Sequence, residues 1–372
     1  MKVALELQPC CGKRSGIGTY AYELAKRLTA GNGLEFYGNL FNFVGRYDNS
    51  QNLEGIVIPI RESRIFPYGV YRRIWNWLPI PYQSLFPDKA DLSIFFNYIV
   101  PPHIGGRVIT TIHDMTWLRF PETMDKRNRK RLREGMDRSI LRSDHILTIS
   151  RFSKQEIVDL LGIPEERISV VPCAPSLSSD AEDFTLCVEK FHITKPYLLY
   201  LGTIEPRKNL VRLLKAYSLL KKEQGIVHQL VLAGGRGWEL EEIYRMAENT
   251  SGVVLTGYLT AAEKNTLYQN ATAFVFPSLY EGFGIPPLEA MSLGCPVISS
   301  HAASLPEVVG EAARLVDPLD ENDIAQGIWD VVSDREYSSG LVVKGYLQAE
   351  KYTWTVSAKK FNEICLTVLE GS

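Results

Sequence analysis

Along this chain short apolar runs alternate with stretches whose apolar residues recur every three or four positions. In the first half the runs are "KVALELQ", "LEFYGNLF", "GIVIPI", "DLSIFF", "RVITTIH", "HILTIS" and "ISVVP". Several are almost continuously apolar, the pattern of parallel strands covered on both faces. A helix follows "HILTIS": Ser153 and Glu156 have the spacing of a capping box, and Gly162 and Pro164 close it. Residues 176–194 are more polar and show no clean period, so a linker is expected there, at 179–194. A second series then runs "YLLYLG", "QLVLAG", "GVVLTG", "AFVFP", "PVISS" and "ARLVD". Leu210, Leu213, Leu214, Tyr217 and Leu220 predict a helix after the first of these. Ala358, Phe361, Cys365 and Val368 predict a last one, from Ser357 onward.

Two strand-helix series predict an α/β chain of two Rossmann-like, doubly wound domains facing each other across a cleft. The expected boundaries are a first domain at 1–178, the linker at 179–194, and a second domain at 195–351. A C-terminal helical segment, 352–372, is expected to pack back on the first domain. A chain of 372 residues suits two cores. Sheets of this kind take ligands beyond the carboxyl ends of their strands, so the loops there are where chemistry is sought.

The segment "YEGFGIPPLEAMSLG" (280–294) sits at such an end, with "FVFP" as its strand and "PPLEAMSLG" as its helix. Glu281 and Glu289 are separated by seven residues. Pro286 and Pro287 suit a first helical turn, where their missing N–H groups are not needed. Read alone, Glu289 complements the helix dipole and Glu281 is a solvated loop acid. Read together, each offers the paired acceptors that match a vicinal diol, such as the cis-hydroxyls of a ribose. Gly282 and Gly284 let backbone N–H groups approach a second polyhydroxyl or phosphate group.

In "YLGTIEPRKNLVRLL", Arg207 and Lys208 stand at a helix N-terminus after the strand and Gly202, a setting for an anion. Two carboxylates and two cations either pair with one another or bracket a ligand that carries both hydroxyls and phosphates. A nucleotide diphosphate sugar has both. In the first series, Gly16, Gly18 and Ala21 satisfy G-x-G-x-x-[GA], but the loop from "LELQ" is long for that turn and no acid ends "FYGNLF". A glycine-loop approach to a diphosphate remains, and a dinucleotide-dependent dehydrogenase becomes remote. His113 and Asp114 end the strand "VITTIH" on the ligand side.

Composition narrows the field. With 45% hydrophobic and 23% charged residues the chain is a globular protein, and a net charge of −2 gives no case for nucleic acid. The six cysteines lack C-x-x-C spacing and read as reduced thiols of a cytoplasmic protein. No charged and apolar leader opens the chain, and no run reaches the ~18 residues of a membrane span. No D-x-D pair, H-E-x-x-H or Cys/His cluster suggests a catalytic metal, and no serine-hydrolase or P-loop motif is present. Residues 65–86 are aromatic, with Trp75 and Trp77 beside Arg72 and Arg73, and "KRNRKRLR" (126–133) is a basic helical run. Together they form either solvated and core-packed surface or a contact with an anionic membrane face.

"EGFGIPPLEAMSLGCPVISS", "GTIEPRKNL", "AGGRGWE", "LTGYL", "HDMTW" and "ILTISRFSK" resemble the family 4 retaining glycosyltransferases of GT-B fold, over nearly the whole chain. The resemblance implies that Glu289 holds the donor ribose and Glu281 the transferred sugar, which the N–H groups of Phe283, Gly284 and Ile285 help to seat. It implies Lys208 on the diphosphate, Gly16 and Gly18 approaching it from the first domain, His113 near the anomeric centre, and the loop at Tyr258 on the base. Many relatives carry an arginine directly after the strand glycine. Here that donor-side position is Thr203, and Arg207 is the expected replacement. The spacing of "GTIEPRKN" is similar to that of bacterial O-antigen mannosyltransferases, which implies GDP-mannose as donor. No cofactor or metal is implied beyond the nucleotide-sugar substrate. The implied partners are a glycan or lipid-linked acceptor and, peripherally, the inner face of the plasma membrane. A sugar-nucleotide epimerase of the same fold and a non-catalytic sugar-nucleotide-binding protein are the alternatives.

Overall fold

The computed structural model describes residues 1–12, 14–29, 31, 33–45, 52–75, 77–78, 80–177, 182–194, 196–237 and 241–371. The chain divides into two units. One comprises Met1–Trp117, Lys126–Cys173 and Trp354–Ser372; the other comprises Leu118–Asp125 and Ala174–Thr353.

Among the described residues the first unit holds seven strands: β1 (Lys2–Glu6), β2 (Glu35–Phe41), β3 (Ile60–Ser63), β4 (Leu92–Phe95), β5 (Arg107–Thr111), β6 (His145–Thr148) and β7 (Ile168–Val170). They form one parallel sheet in the order β3-β2-β1-β4-β5-β6-β7. Central strands such as β4 are buried along their whole length, which is why they read as nearly continuous apolar runs, with Ser93 the one polar residue of β4. The run "GIVIPI" predicts its strand too early. Val57 is 70% exposed, and β3 forms from "IRES" once Pro59, which has no N–H to give, has been passed. Strand order reverses between β1 and β4, so the ligand crevice of this sheet lies beyond their carboxyl ends.

The last helix begins at Trp354, three residues before the expected start, and runs to Glu370. It lies on the first unit. The Ser357 hydroxyl donates to the Pro172 carbonyl (2.8 Å), Phe361 stacks on Phe96, and Trp354 meets the edge of Tyr20.

The second unit carries β8 (Tyr197–Leu201), β9 (Gln229–Ala233), β10 (Val253–Gly257), β11 (Ala273–Phe276), β12 (Val297–Ser300) and β13 (Ala313–Val316), parallel in the order β10-β9-β8-β11-β12-β13. Its reversal lies between β8 and β11. Residues 118–125 belong to this unit, with Phe120 packed on Tyr280. Leu210, Leu213, Leu214, Tyr217 and Leu220 are all buried on the helix Leu210–Glu223, as their spacing predicts.

The expected linker is largely structured. Residues 179–181 lie outside the described residues, as do Trp238 and Glu239 of "AGGRGWE". Phe184–Phe191, however, is a helix that Asp183 caps by accepting from Thr185 N–H (2.7 Å). Phe184, Cys187, Val188 and Phe191 do follow a helical period, hidden in a polar surrounding; Cys187 is buried and Phe184 stacks on Tyr197.

The capping box also needs correction. The helix after β6 is Arg151–Leu161, and its N-cap is Ser150, whose hydroxyl accepts from Ser153 N–H at 3.0 Å. Ser153 already lies in the first turn, because strand β6 ends early enough for the helix to start there. Gly162 closes the helix in the left-handed conformation (φ 63°). Replacing Ser150 by Ala should therefore cost about 1 kcal/mol in denaturant unfolding, and Ser150→Thr, which keeps the acceptor, should recover most of it.

Candidate functional site

The two loops that leave the carboxyl ends of β8 and β11 are neighbours because those strands pair directly, Ala273 with Leu198 and Phe274 with Leu199. This is the crevice position of the second sheet. The loop after β8 reaches a short turn, Pro206–Lys208, and then Asn209 in the left-handed conformation (φ 62°). The Asn209 amide donates to the carbonyls of Pro277 (3.0 Å) and Pro318 (2.6 Å), and Leu279 N–H donates to the Arg207 carbonyl (2.9 Å). One side-chain amide and one backbone bond thus tie the β8 loop to the β11 loop.

Four charged side chains are buried where the loops meet. Lys208 Nζ lies 2.5 Å from Glu281 Oε1, and Arg207 Nη1 lies 3.0 Å from Glu281 Oε2. Arg207 Nη2 pairs with Glu205 Oε1 at 2.6 Å, and Nη1 also donates to the Tyr280 carbonyl. The side chains of the quartet are between 5% and 15% exposed, so water screens them little. Burial by itself would raise the Glu281 carboxyl; Arg207 and Lys208 outweigh it and hold the group at about 2. Burial and the adjacent Arg207 push Lys208 below its ordinary value, against the pull of Glu281. Of the two arrangements the sequence leaves open, mutual pairing is what the side chains make. Lys208 spends one of its three N–H bonds on Glu281 and lies over the Phe276 ring (5.2 Å), so it keeps donors for a further acceptor.

Downstream of Glu281 the backbone is held open. The Ser304 hydroxyl bonds the carbonyls of Glu281 (2.8 Å) and Phe283 (2.9 Å). Gly284, at φ 107°, turns the chain into the helix Ile285–Ser292, and a Cβ there would meet Leu305 at 2.6 Å. Pro286 and Pro287 occupy the first turn, as their placement predicts. Among the described residues, the N–H groups of Phe283, Gly284 and Ile285 donate to no protein acceptor. Three consecutive donors therefore stand at a helix N-terminus beside Glu281.

Glu289 is on the next turn of that helix and has a separate set of partners. Lys264 Nζ contacts Oε1 at 2.6 Å, Tyr268 OH donates to Oε2 at 3.4 Å, and Ser176 N–H adds a third bond. Burial raises its carboxyl and Lys264 opposes the rise. Thr203 is exposed on the β8 loop, where its carbonyl accepts from Tyr200 OH (3.1 Å). Tyr258, just past β10, is 67% exposed.

The remaining expected residues lie in the first unit. Gly16 and Gly18 open the helix Gly16–Ala25, with the Ser15 hydroxyl accepting from Gly18 N–H (3.4 Å). Space around Gly16 is open. Gly18 is packed: a Cβ there would stand 2.3 Å from the Pro9 carbonyl, so its glycine is required by the fold itself. His113 is buried; Nε2 lies 2.7 Å from the Phe96 carbonyl, with Tyr20 and Tyr98 against the ring. A carbonyl only accepts, so Nε2 carries the proton, and burial lowers the ring's affinity for a second one. His113 is thus a neutral imidazole.

Sequence reasoning missed Glu205, Asn209, Lys264, Tyr268 and Ser304. Glu205 and Asn209 flank "PRK" and could have been noticed there. Lys264 and Tyr268 sit four apart on the helix Ala261–Asn270, next to each other on one face, but nothing local ties them to Glu289.

The quartet makes a pH prediction. The Glu281 carboxyl is depressed from 4.5 to about 2 on folding, so its stabilisation is complete above pH 4.5 and is lost as pH falls toward 2. Glu281→Gln should lower stability by about 3 kcal/mol at neutral pH, by leaving buried cations uncompensated. In denaturant unfolding, the gap between wild type and variant should stay constant above pH 5 and close between pH 4.5 and 2.

Residues 14–178 match the model of Glycosyltransferase Family 4, and residues 188–348 match that of Glycosyl transferases group 1. The chain is 32% identical to O-antigen chain mannosyltransferase B of Escherichia coli, over 95% of this chain and 96% of that protein. Among solved structures, a sucrose-phosphate synthase from Thermosynechococcus elongatus superposes with a TM-score of 0.75 at 18% identity, over the full length of both chains. WaaG, a glycosyltransferase involved in lipopolysaccharide biosynthesis, superposes at 0.70 and 13% identity, again over the full length of both. These likenesses establish the fold, GT-B, as the two strand-helix series predict. With both halves of its sequence matched and one relative aligned along nearly its whole length, the chain belongs to the family 4, group 1 glycosyltransferases.

Proposed function

We propose that this chain is a retaining, metal-independent hexosyltransferase. It moves mannose from GDP-mannose to a glycan or lipid-linked glycan in the synthesis of a surface polysaccharide. The observation that carries the reading is the convergence, at the β8/β11 crevice, of Lys208, Arg207 and the N–H groups of Phe283 to Ile285 around Glu281. Support for mannose and for a polysaccharide product comes from the likeness to the O-antigen chain mannosyltransferase of Escherichia coli. The choice of GDP rests on the resemblance of "GTIEPRKN".

In this reading Glu289 accepts hydrogen bonds from the ribose hydroxyls, with Lys264 and Tyr268 fixing its orientation. Glu281 accepts from hydroxyls of the transferred sugar and at the same time holds Arg207 and Lys208 in place. As the bond from the anomeric carbon to phosphate oxygen breaks, negative charge grows on the departing diphosphate. Lys208, Arg207 and the helix N-terminus stabilise that charge, which is the task a divalent ion performs in other transferases. Thr203 offers no guanidinium at its position, and Arg207, four residues on, takes that part. Front-face substitution, with a phosphate oxygen receiving the acceptor's proton, accounts for retention without asking any side chain to serve as base. The protein acts from the cytoplasmic side, at the inner face of the plasma membrane; among the described residues no helix is long and apolar enough to cross one.

Product analysis with radiolabelled nucleotide sugars tests this reading. Transfer to an acceptor supports it; an epimerised sugar or no turnover supports the epimerase or the binding protein instead. Lys208→Ala and Glu281→Ala should each lower turnover at least roughly ten-fold, about 1.4 kcal/mol of transition-state stabilisation. Proton NMR of the product should show the donor's anomeric configuration, and EDTA should leave the rate unchanged.

A further inference from the structure

The two stretches that stand apart in the sequence as aromatic and basic line one cavity of about 590 Å³ in the first unit. The helix Tyr68–Ile74 contributes Arg72, and Trp75 follows it. The helix Lys126–Arg142 contributes Arg127, Lys130, Arg131 and Arg138. Five cations face one carboxylate, Glu134, which is itself engaged with Lys130 at 3.8 Å.

Several arginines elsewhere in this protein are matched to acids: Arg61 to Asp88, Arg107 to Asp144, and Arg314 to both Asp323 and Asp330. In the cavity, Arg72, Arg131 and Arg138 are in no ion pair among the described residues. Arg131 is the central case. Its Nη2 donates to Asn97 Oδ1 (3.2 Å), while its buried Nε has no protein acceptor. Burial, and then the like charge of Arg72, disfavour its cationic form. Glu6 at the end of β1 is near enough to feel both arginines. Burial pushes it up to about 8, so it carries little charge at neutral pH and does not balance them. Like charges gathered in a recess with an orphaned donor are costly unless an anion enters. Asn97 and Ile99, which follow β4, place the cavity beside the strand-order reversal of the first sheet, where such sheets take ligands.

We propose that this cavity is a binding site for a phosphate or diphosphate group, held by Arg72, Arg131 and Arg138, with Arg127 and Lys130 at its rim. Trp75, only 7% exposed, forms an apolar wall for whatever the phosphate is attached to. Guanidinium groups suit the ligand class, because their forked donors match phosphate oxygens in pairs. The phosphate is carried either by the headgroup of an anionic lipid or by a non-membrane ligand such as a phosphorylated acceptor. Its residues belong to the first unit and Arg207 and Lys208 to the second, and the proposal does not depend on the donor assignment above.

Inorganic pyrophosphate titrated calorimetrically into the full chain at fixed ionic strength tests the site. The double variant Arg72→Gln/Arg131→Gln should weaken binding by about ten-fold or more, as expected for loss of charge-assisted bonds. If that variant does not fold, as judged by circular dichroism, Arg138→Glu on an exposed side chain is titrated instead, with the same expectation. Lys208→Ala separates the two anion sites. Pyrophosphate binding that survives in Lys208→Ala and is lost in the cavity variants supports the proposal; binding that is unchanged in the cavity variants overturns it. A flotation arm then identifies the source. Flotation with phosphatidylglycerol vesicles, absent with phosphatidylcholine and abolished by both pyrophosphate and the cavity variant, assigns the phosphate to a lipid headgroup. Pyrophosphate binding without such flotation assigns it to a non-membrane ligand.

Discussion

The buried quartet of Glu205, Arg207, Lys208 and Glu281 is the constraint on which the second unit's ligand end depends. Charges this far from water survive only in mutual contact, and removing one strands the others. Because Glu281 satisfies two cations at once, the β8 and β11 loops have one mutual arrangement rather than several. Asn209 and Ser304 lock the backbone on either side of it. The result is a rigid rim at the strand-order reversal, which holds side-chain cations and backbone donors in place before any ligand arrives. Catalysis by charge stabilisation needs that kind of preorganisation.

From this rim the helix Ile285–Ser292 carries the site outward. Its N-terminus is stripped of competing groups in a specific way. Two prolines remove N–H groups from the first turn, Gly284 bends the chain without a side chain, and the donors that remain are consecutive. Glu289, deeper in the helix, is neutralised by Lys264 and not by the quartet. The two glutamates therefore have independent electrostatics: one held strongly ionised by two cations, the other lifted by burial against a single lysine. The proposed assignment of each to a different part of one extended donor rests on that independence.

In the first unit the same kind of sheet is used differently. At its ligand end lie a neutral His113 tied to a carbonyl, a glycine whose absence of a side chain serves packing, and a cavity dense in arginine. The second unit balances its buried charges internally. The first leaves several unpaired among the described residues, and that asymmetry distinguishes a rim whose charges the fold itself pairs from a recess whose charges it leaves open.

Much of this was legible along the chain. Covered parallel strands leave unbroken apolar runs, and helices on them leave a three-to-four period, so both sheets and most of their helices follow from local pattern. The exceptions have local causes too: Pro59 delayed β3, Ser150 rather than Ser153 capped its helix, and the helix Phe184–Phe191 hid its apolar period in a polar setting. Residue type and spacing alone brought Glu281, Glu289, Arg207 and Lys208 forward as chemistry. Which acid meets which cation was not written there, because it depends on β8 lying beside β11 across more than seventy residues of chain. The pairing of Glu289 with Lys264 and the meeting of Arg72 with Arg131 have the same origin. Sequence determined the elements and the reactive groups; tertiary structure decided their partners, since an ion pair is set by distance in space and period along the chain carries no such distance.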